Sequence, residues 1–400
     1  MPLFQPFPGL RYSRSHVASL DDVVCPPYDV ISESERVALE ARSPSNIVRL
    51  ELPHDDDSGG DRYQRAAALL DAWRDGGILH RDNEPAFYGY RMRFSDPAGA
   101  ERQTIGVIGA LGLEPPGTGI LPHEETTPKA KTDRLELLRA TRANLSPIWG
   151  LSPGSGLTSQ CAPPAHPAEH VTDPDRVRHD LWPITDADQM KAIQAAVEGA
   201  PVLIADGHHR YETALNYRAE EVRRGSKRSD DDFVMALVVE LAPDQLTVQA
   251  IHRLIEDLPS GFDLPAALEP WFDITPTAPA DRTITTRMSE AGALAVLTRA
   301  GAWLARPRPS LMAAAVPDLD SSHLDVALVG LPRHQLVYQH GWDHAAAAVA
   351  TGQADAAVLL RPATVEQIRA VSHGGVRMPP KTTFFWPKPR TGLVVRELLS

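Results

Sequence analysis

Pro201-Val-Leu-Ile-Ala-Asp206-Gly207-His208-His209-Arg210-Tyr211-Glu212-Thr213-Ala214 compresses a strand, a tight turn and a helix start into one stretch. Val202 to Ala205 form a continuous apolar run, the pattern of a strand buried on both faces by covering helices. Asp206-Gly207 breaks the run, because Gly reaches backbone angles and close approaches that a side chain forbids. Beyond it Tyr211, Ala214, Leu215 and Val222 recur at helical spacing, so the helix begins almost at the histidine pair.

That geometry predicts a chemistry. A turn from a buried strand into a helix N-terminus presents unpaired N–H groups and the positive end of the helix dipole, which favour an anion such as phosphate. Arg210 adds a planar, permanently charged fork for phosphoryl oxygens. Asp206 can hold a divalent cation or take a proton, and His208 and His209 supply further donors or bases. The plainer alternative is a helix cap, a surface ion pair and two ordinary polar residues.

At these residues the chain resembles a known family. Asp206-Gly-His-His-Arg210 followed by Tyr211-Glu-Thr-Ala214 is similar to the signature of domain-of-unknown-function family 1015 (DUF1015). Its five-residue core resembles the Asp-Gly-x-His-Arg loop of the ParB/sulfiredoxin superfamily, which free-serine kinases carry. Cys25-Pro-Pro-Tyr-Asp-Val-Ile-Ser32, Pro122-His-Glu124 with Lys131-Thr-Asp-Arg134, and Met378-Pro-Pro-Lys-Thr-Thr-Phe384 with Pro387-Lys-Pro389 match the family as well, so the similarity spans nearly the whole chain. The resemblance implies a fold that uses a nucleotide or pyrophosphate, with phosphorylation of free L-serine as the leading activity.

Composition sets the bounds. Four hundred residues with 42% hydrophobic content suggest two or three domains, or one large α/β unit with insertions, around a buried core. A net charge of −12 lacks the basic footprint that nucleic acid or an anionic membrane requires, so neither is expected as a partner. Two distant cysteines, Cys25 and Cys161, exclude a disulfide scaffold and a cysteine-rich zinc site. No signal segment or membrane-length apolar run is visible, so a cytoplasmic location is expected.

The rest of the chain reads as an α/β (α+β) fold, a mixed sheet with flanking helices. Cys25 to Ile31 forms a rigid turn able to place Tyr28 and Asp29 over a pocket, and Ser32-x-x-Glu35 is a capping box. Asn46 to Leu52 alternates like a half-exposed strand presenting Arg49 and Glu51. Ala86–Phe94 and Thr104–Leu113 predict an antiparallel hairpin, with Gly106, Gly109 and Gly112 marking a bend or close contact. Leu151–Pro174 reads as a linker or a surface excursion between domains, Asp186–Val197 as an amphipathic helix, and Leu246–Ile251 as a strand pairing with Phe233–Leu241. Three regions are therefore expected: an N-terminal α/β domain (1–150), a central ParB/sulfiredoxin-like region (151–260), and a C-terminal α/β region (261–400) whose tail packs back on the site.

The expected site draws on each of them. His123 and Glu124 can share a proton or a metal, Lys131 and Arg134 can bind phosphate near a helix start, and Lys381 and Thr382 can clamp phosphate from a proline-stiffened segment. His123-Glu-Glu125 lacks the downstream histidine of a zinc protease. The catalytic candidates are Asp206, His208, His209, Glu124 and His123. Gly207, Arg210, Lys131, Arg134, Lys381 and Thr382 are expected at the phosphates, and Tyr28, Asp29 and Arg49 at the substrate. Mg2+ would bridge the donor phosphates to Asp206 or Glu124, either of which could be the base. The donor is pyrophosphate, ADP or ATP. A nucleotide-binding regulator and a metal-dependent phosphoesterase are the alternatives, and oligomeric state is not legible.

Overall fold

The computed structural model describes residues 1–55, 60–96, 99–122, 128–225, 230–374 and 378–399, with side chains at 122, 128–131 and 372–374 outside that description. Within it the chain divides into two compact units. One comprises Met1–Pro122, Thr126–Leu246 and Pro387–Ser400, and the other Thr247–Trp386.

The first unit is built on a mixed sheet of nine strands among the described residues. Across it run Ile120–Pro122, Val202–Asp206, Ile148–Ser152, Phe233–Glu240, Glu101–Gly112, Phe87–Ser95, Arg178–Ile184 and Glu169–Thr172, with Phe4–Gln5 beside Glu101–Gly112. Val202–Asp206 is parallel to Ile120–Pro122, and Phe233–Glu240 is parallel to Ile148–Ser152; the remaining pairs are antiparallel. The predicted hairpin forms, pairing Tyr88 with Ile108 and Phe94 with Arg102. Its glycines mark close contacts: a Cβ on Gly106 would lie 2.6 Å from the Val238 carbonyl, and one on Gly109 would lie 2.5 Å from the Phe4 ring. Ile148, Val202, Ile204, Tyr211 and Val238 lie in one core with Ile193 and Val197 of the helix Ala187–Glu198, which Asp186 caps.

The second unit carries a sheet ordered Phe272–Thr277, Gly301–Pro307, Leu294–Thr298, Ala356–Leu359, Thr247–Glu256 and Gln335–His340, with Thr383–Trp386 also on Thr247–Glu256. Its apolar residues form two clusters of their own, around Ile255 and Val358 and around Leu254 and Ala357.

Several expectations change. Thr247–Glu256 does not pair with Phe233–Glu240, because the latter is already flanked by Glu101–Gly112 and Ile148–Ser152 and has no open edge. Leu151–Pro174 is not a linker: it contains the helix Leu157–Gln160 and the strand Glu169–Thr172, with Leu157 and Cys161 in the core. The expected boundary at 150 falls inside the strand Ile148–Ser152, and that at 260 lies beyond the point where the chain leaves the first unit. Asn46–Leu52 is not a strand. Its buried Asn46 accepts the Val48 N–H through Oδ1 at 3.0 Å, at the entry to the short helix Val48–Glu51.

Candidate functional site

The strand Val202–Asp206 ends in Gly207 at φ +88°, and the helix His208–Arg223 starts on the next residue. The left-handed backbone and the crowding both select glycine, since a Cβ there would lie 3.0 Å from Ile148 Cγ2 and 3.1 Å from Arg210 Nη2. Tyr211 fixes the helix by donating to the Glu114 carbonyl at 2.7 Å and accepting the Glu114 N–H at 3.1 Å.

Asp206 sits at this turn between two cations. Arg210 Nη2 donates to Oδ2 at 3.0 Å, and the Lys388 ammonium lies against Oδ1. Its side chain is 15% exposed. Burial alone would raise its pKa; Lys388 first and Arg210 second outweigh that and hold it at about 2. Burial likewise favours neutral Arg210, yet Asp206 raises its pKa.

Arg210 extends inward, its Nη1 donating to Ser146 Oγ at 3.0 Å and the Pro147 carbonyl at 2.6 Å. Its buried Nε finds no hydrogen-bond partner among the described residues. Ser146 passes the contact on, donating to Glu51 Oε1 at 2.9 Å. Arg134, buried as well, donates to the Glu51 carbonyl at 2.7 Å and grips Asp133 Oδ2 at 2.6 and 2.9 Å. The Tyr28 ring faces both guanidiniums, with its centroid 4.3 Å from Arg134 Cζ and 5.9 Å from Arg210 Cζ. Burial pushes its hydroxyl up to about 12, so it stays protonated. Glu51, Arg134, Ser146, Arg210 and Thr213 line a cavity of about 50 Å³.

The structure therefore gathers Asp206, Gly207, Arg210, Arg134 and Tyr28 from the expected set. His208 is half-buried and close enough to Asp206 to favour its charge. His209 is half-buried on the same first turn and Asp29 is exposed beside Tyr28. Arg49 points elsewhere, donating to the Glu40 carbonyl at 2.8 Å. Lys381 and Thr382 belong to the second unit. Lys381 is exposed at φ +57°, and Thr382 donates to the Pro379 carbonyl at 2.7 Å. His123 and Glu124 lie outside the described residues, as does the side chain of Lys131. Among the described residues no three His, Cys, Asp or Glu side chains converge as metal ligands.

Lys388, Glu51 and Ser146 are the members not anticipated. Lys388 had a signal, since Pro387 and Pro389 fix it on an extended segment matching the family. Glu51 is presented by the strand reading only as a neighbour of Arg49, and Ser146 has no distinguishing pattern.

A family model described as "Protein of unknown function (DUF1015)" matches residues 4–327. No curated protein matches the sequence. Solved structures similar to the chain include a free serine kinase in complex with AMP (15% identity, TM-score 0.35, covering 69% of this chain and 89% of that one). A conserved hypothetical protein from Pyrococcus furiosus has 14% identity and a TM-score of 0.36, covering 68% of this chain and 88% of that one. SbnI with a C-terminal truncation, from Staphylococcus aureus, has 12% identity and a TM-score of 0.38, covering 72% and 87% respectively.

Proposed function

The chain belongs to the DUF1015 family of proteins of unknown function, and from that premise we propose that it is a phosphotransferase acting on a small hydroxylated metabolite, with free L-serine as acceptor and pyrophosphate, ADP or ATP as donor. The observation that carries the reading is Arg210, held on the first turn of a helix with a buried Nε–H unclaimed, beside Lys388 and the N-terminal amides.

Phosphoryl transfer asks mainly for positioning and charge stabilisation. Arg210 and the turn amides hold the donor's terminal phosphate. Lys388, now on Asp206, moves its charge toward the phosphoryl oxygens as they enter. Asp206 is thereby left to accept the acceptor's hydroxyl hydrogen. The hydroxyl oxygen bonds to phosphorus as the bond to the leaving phosphate breaks, and the proton passes to Asp206 or Glu124. Arg210 remains on Asp206 Oδ2 and still lowers its basicity, so Asp206 serves chiefly to orient the hydroxyl. His208 and His209 flank the donor. Arg134 and Tyr28 back Arg210.

The described residues offer one carboxylate at the turn, already engaged by two cations, which does not make a resident metal cage. Mg2+ is accordingly proposed as an ion arriving with the donor, where it neutralises phosphate charge. No helix among the described residues is long and apolar enough to cross a membrane. A reducing, cytoplasmic setting is proposed from the two free, buried cysteines.

Phosphorus NMR of the protein with Mg2+, L-serine and each donor in turn tests the proposal. A phosphomonoester resonance supports it and names the donor. Orthophosphate without phosphoserine replaces transfer by hydrolysis, and an unchanged spectrum with saturable donor binding replaces it by a nucleotide-binding regulator.

A further inference from the structure

A cavity among the described residues is lined entirely by residues of the second unit. It measures about 330 Å³, within the range that holds small metabolites. Its ionisable lining is a single pair. Asp320 is buried and Arg361 is 30% exposed, with Nη2 donating to Oδ1 at 2.5 Å and Nε to Oδ2 at 3.0 Å. The Arg361 backbone N–H also donates to Oδ2 at 2.8 Å. Leu319, Leu360 and Ala363 supply apolar wall, and Ser321 and Thr382 supply hydroxyls.

Donor and acceptor inventories show what remains available. A guanidinium carries five N–H donors, and among the described residues Asp320 takes those on Nε and one on Nη2, so the Nη1 edge is left for a carboxylate. A carboxylate accepts about four hydrogen bonds, and Oδ1 of Asp320 receives one here, so it retains a lone pair for an ammonium group. Thr382 donates to the Pro379 carbonyl, so Ser321 donates to Thr382 across 2.9 Å, and both oxygens keep acceptor capacity toward the cavity. The helix from Val365 opens at Thr364, which exchanges hydrogen bonds with Gln367 on the cavity wall. The pair is itself neutral, so a ligand of net charge would add an uncompensated charge here, whereas a ligand with one charge of each sign meets Arg361 and Asp320 at once and keeps the site neutral.

From the Asp320–Arg361 pair in this cavity, we infer that the second unit binds a free zwitterionic α-amino acid whose side chain bears a hydrogen-bond donor, its carboxylate on Arg361 and its ammonium on Asp320. Titration calorimetry on the full chain tests this, using the Asp206→Asn variant so that the phosphotransfer turn does not contribute. The probes are L-serine, L-threonine, L-asparagine and L-glutamine, each beside its amino-alcohol and hydroxy-acid analogues. Saturable binding of at least one amino acid is expected, weakened on the order of tenfold or more in analogues lacking either charge. Binding should vanish in Asp320→Asn/Arg361→Gln, which removes both charges together, and weaken in Thr382→Val, which keeps the ion pair should the double variant fail to fold. Absence of binding by every probe, equal binding of the single-charge analogues, or binding unaltered by the substitutions overturns the inference.

Discussion

Asp206 shows how one residue's surroundings decide what it can do. A buried carboxylate alone would be driven to protonate, but two cations keep it charged, so its value to the fold depends on Lys388 and Arg210. Because its folded pKa of about 2 lies below the unfolded value, the stability it contributes is present above about pH 4 and is lost as pH falls toward 2. The shift corresponds to about 2 kcal/mol. Asp206→Asn leaves two buried cations without their anion and should cost about 3 kcal/mol at neutral pH, with phosphotransfer abolished. Chemical denaturation of both proteins from pH 7 to pH 2 checks the first claim: the gap between them should narrow below pH 4, and a constant gap would refute it. Arg210 was legible from sequence because its charge stands at a strand-to-helix turn. Lys388 was not assigned because nothing local says which carboxylate a proline-flanked lysine reaches, 182 residues away in sequence.

The turn as an element was readable because its pattern is local: four apolar residues, Asp-Gly, then helical spacing. Gly207→Ala tests how much that turn depends on left-handed backbone. A side chain at φ +88° against Ile148 should cost about 1–2 kcal/mol or more and displace Arg210, lowering the melting temperature and donor affinity together. A melting temperature equal to the parent's would sink that reading. Asn46–Leu52 was misread for the opposite reason. Period-two alternation over a few residues is satisfied by one helical turn, and the deciding signals, the Asn46 Nδ2 donating to the Asp22 carbonyl at 2.8 Å and the burial of Ile47, Val48 and Leu50 together, are tertiary in origin. In the second unit the strand Thr247–Glu256 carries His252, whose Nδ1 accepts the Leu360 N–H at 3.2 Å. Burial first, then His340 and Arg253 against a weaker pull from Asp343, lowers its pKa to about 4. The unfolded chain binds the extra proton between about pH 6.5 and 4, so stability falls by about 3 kcal/mol on acidifying through that window. His252→Gln should flatten this slope in urea titrations at pH 7, 5.5 and 4; an unchanged slope would locate the proton uptake elsewhere.

At the scale of the whole molecule the chain order differs from the three consecutive regions that composition suggested. The first unit takes back the C-terminal segment Pro387–Ser400, so the second unit is an insertion rather than a tail domain. No sequence window reveals this, because the return is carried by dispersed contacts: Lys388 on Asp206, Arg390 on Asp173 at 3.5 Å, and paired backbone bonds between Cys25 and Thr391. The exit is anchored too, with Gln245 accepting from Ile105 N at 3.0 Å and from Thr104 Oγ1 at 2.8 Å. Thr247 and Trp386, the insertion's first and last residues, are register partners on antiparallel strands, which places their Cα atoms about 5 Å apart. Its apolar clusters share no residue with the core around Val202 and Val238. Replacing 247–386 by a short Gly-rich bridge therefore closes a gap the native chain already closes, at a loop-closure cost that grows only slowly with length. The shortened protein should fold cooperatively, with a single thermal transition and dispersed amide resonances, and retain the Asp206–Lys388 pair. A molten or aggregated product, with no sharp transition and uniformly narrow amide dispersion, would show that the first unit's core is incomplete without the insertion.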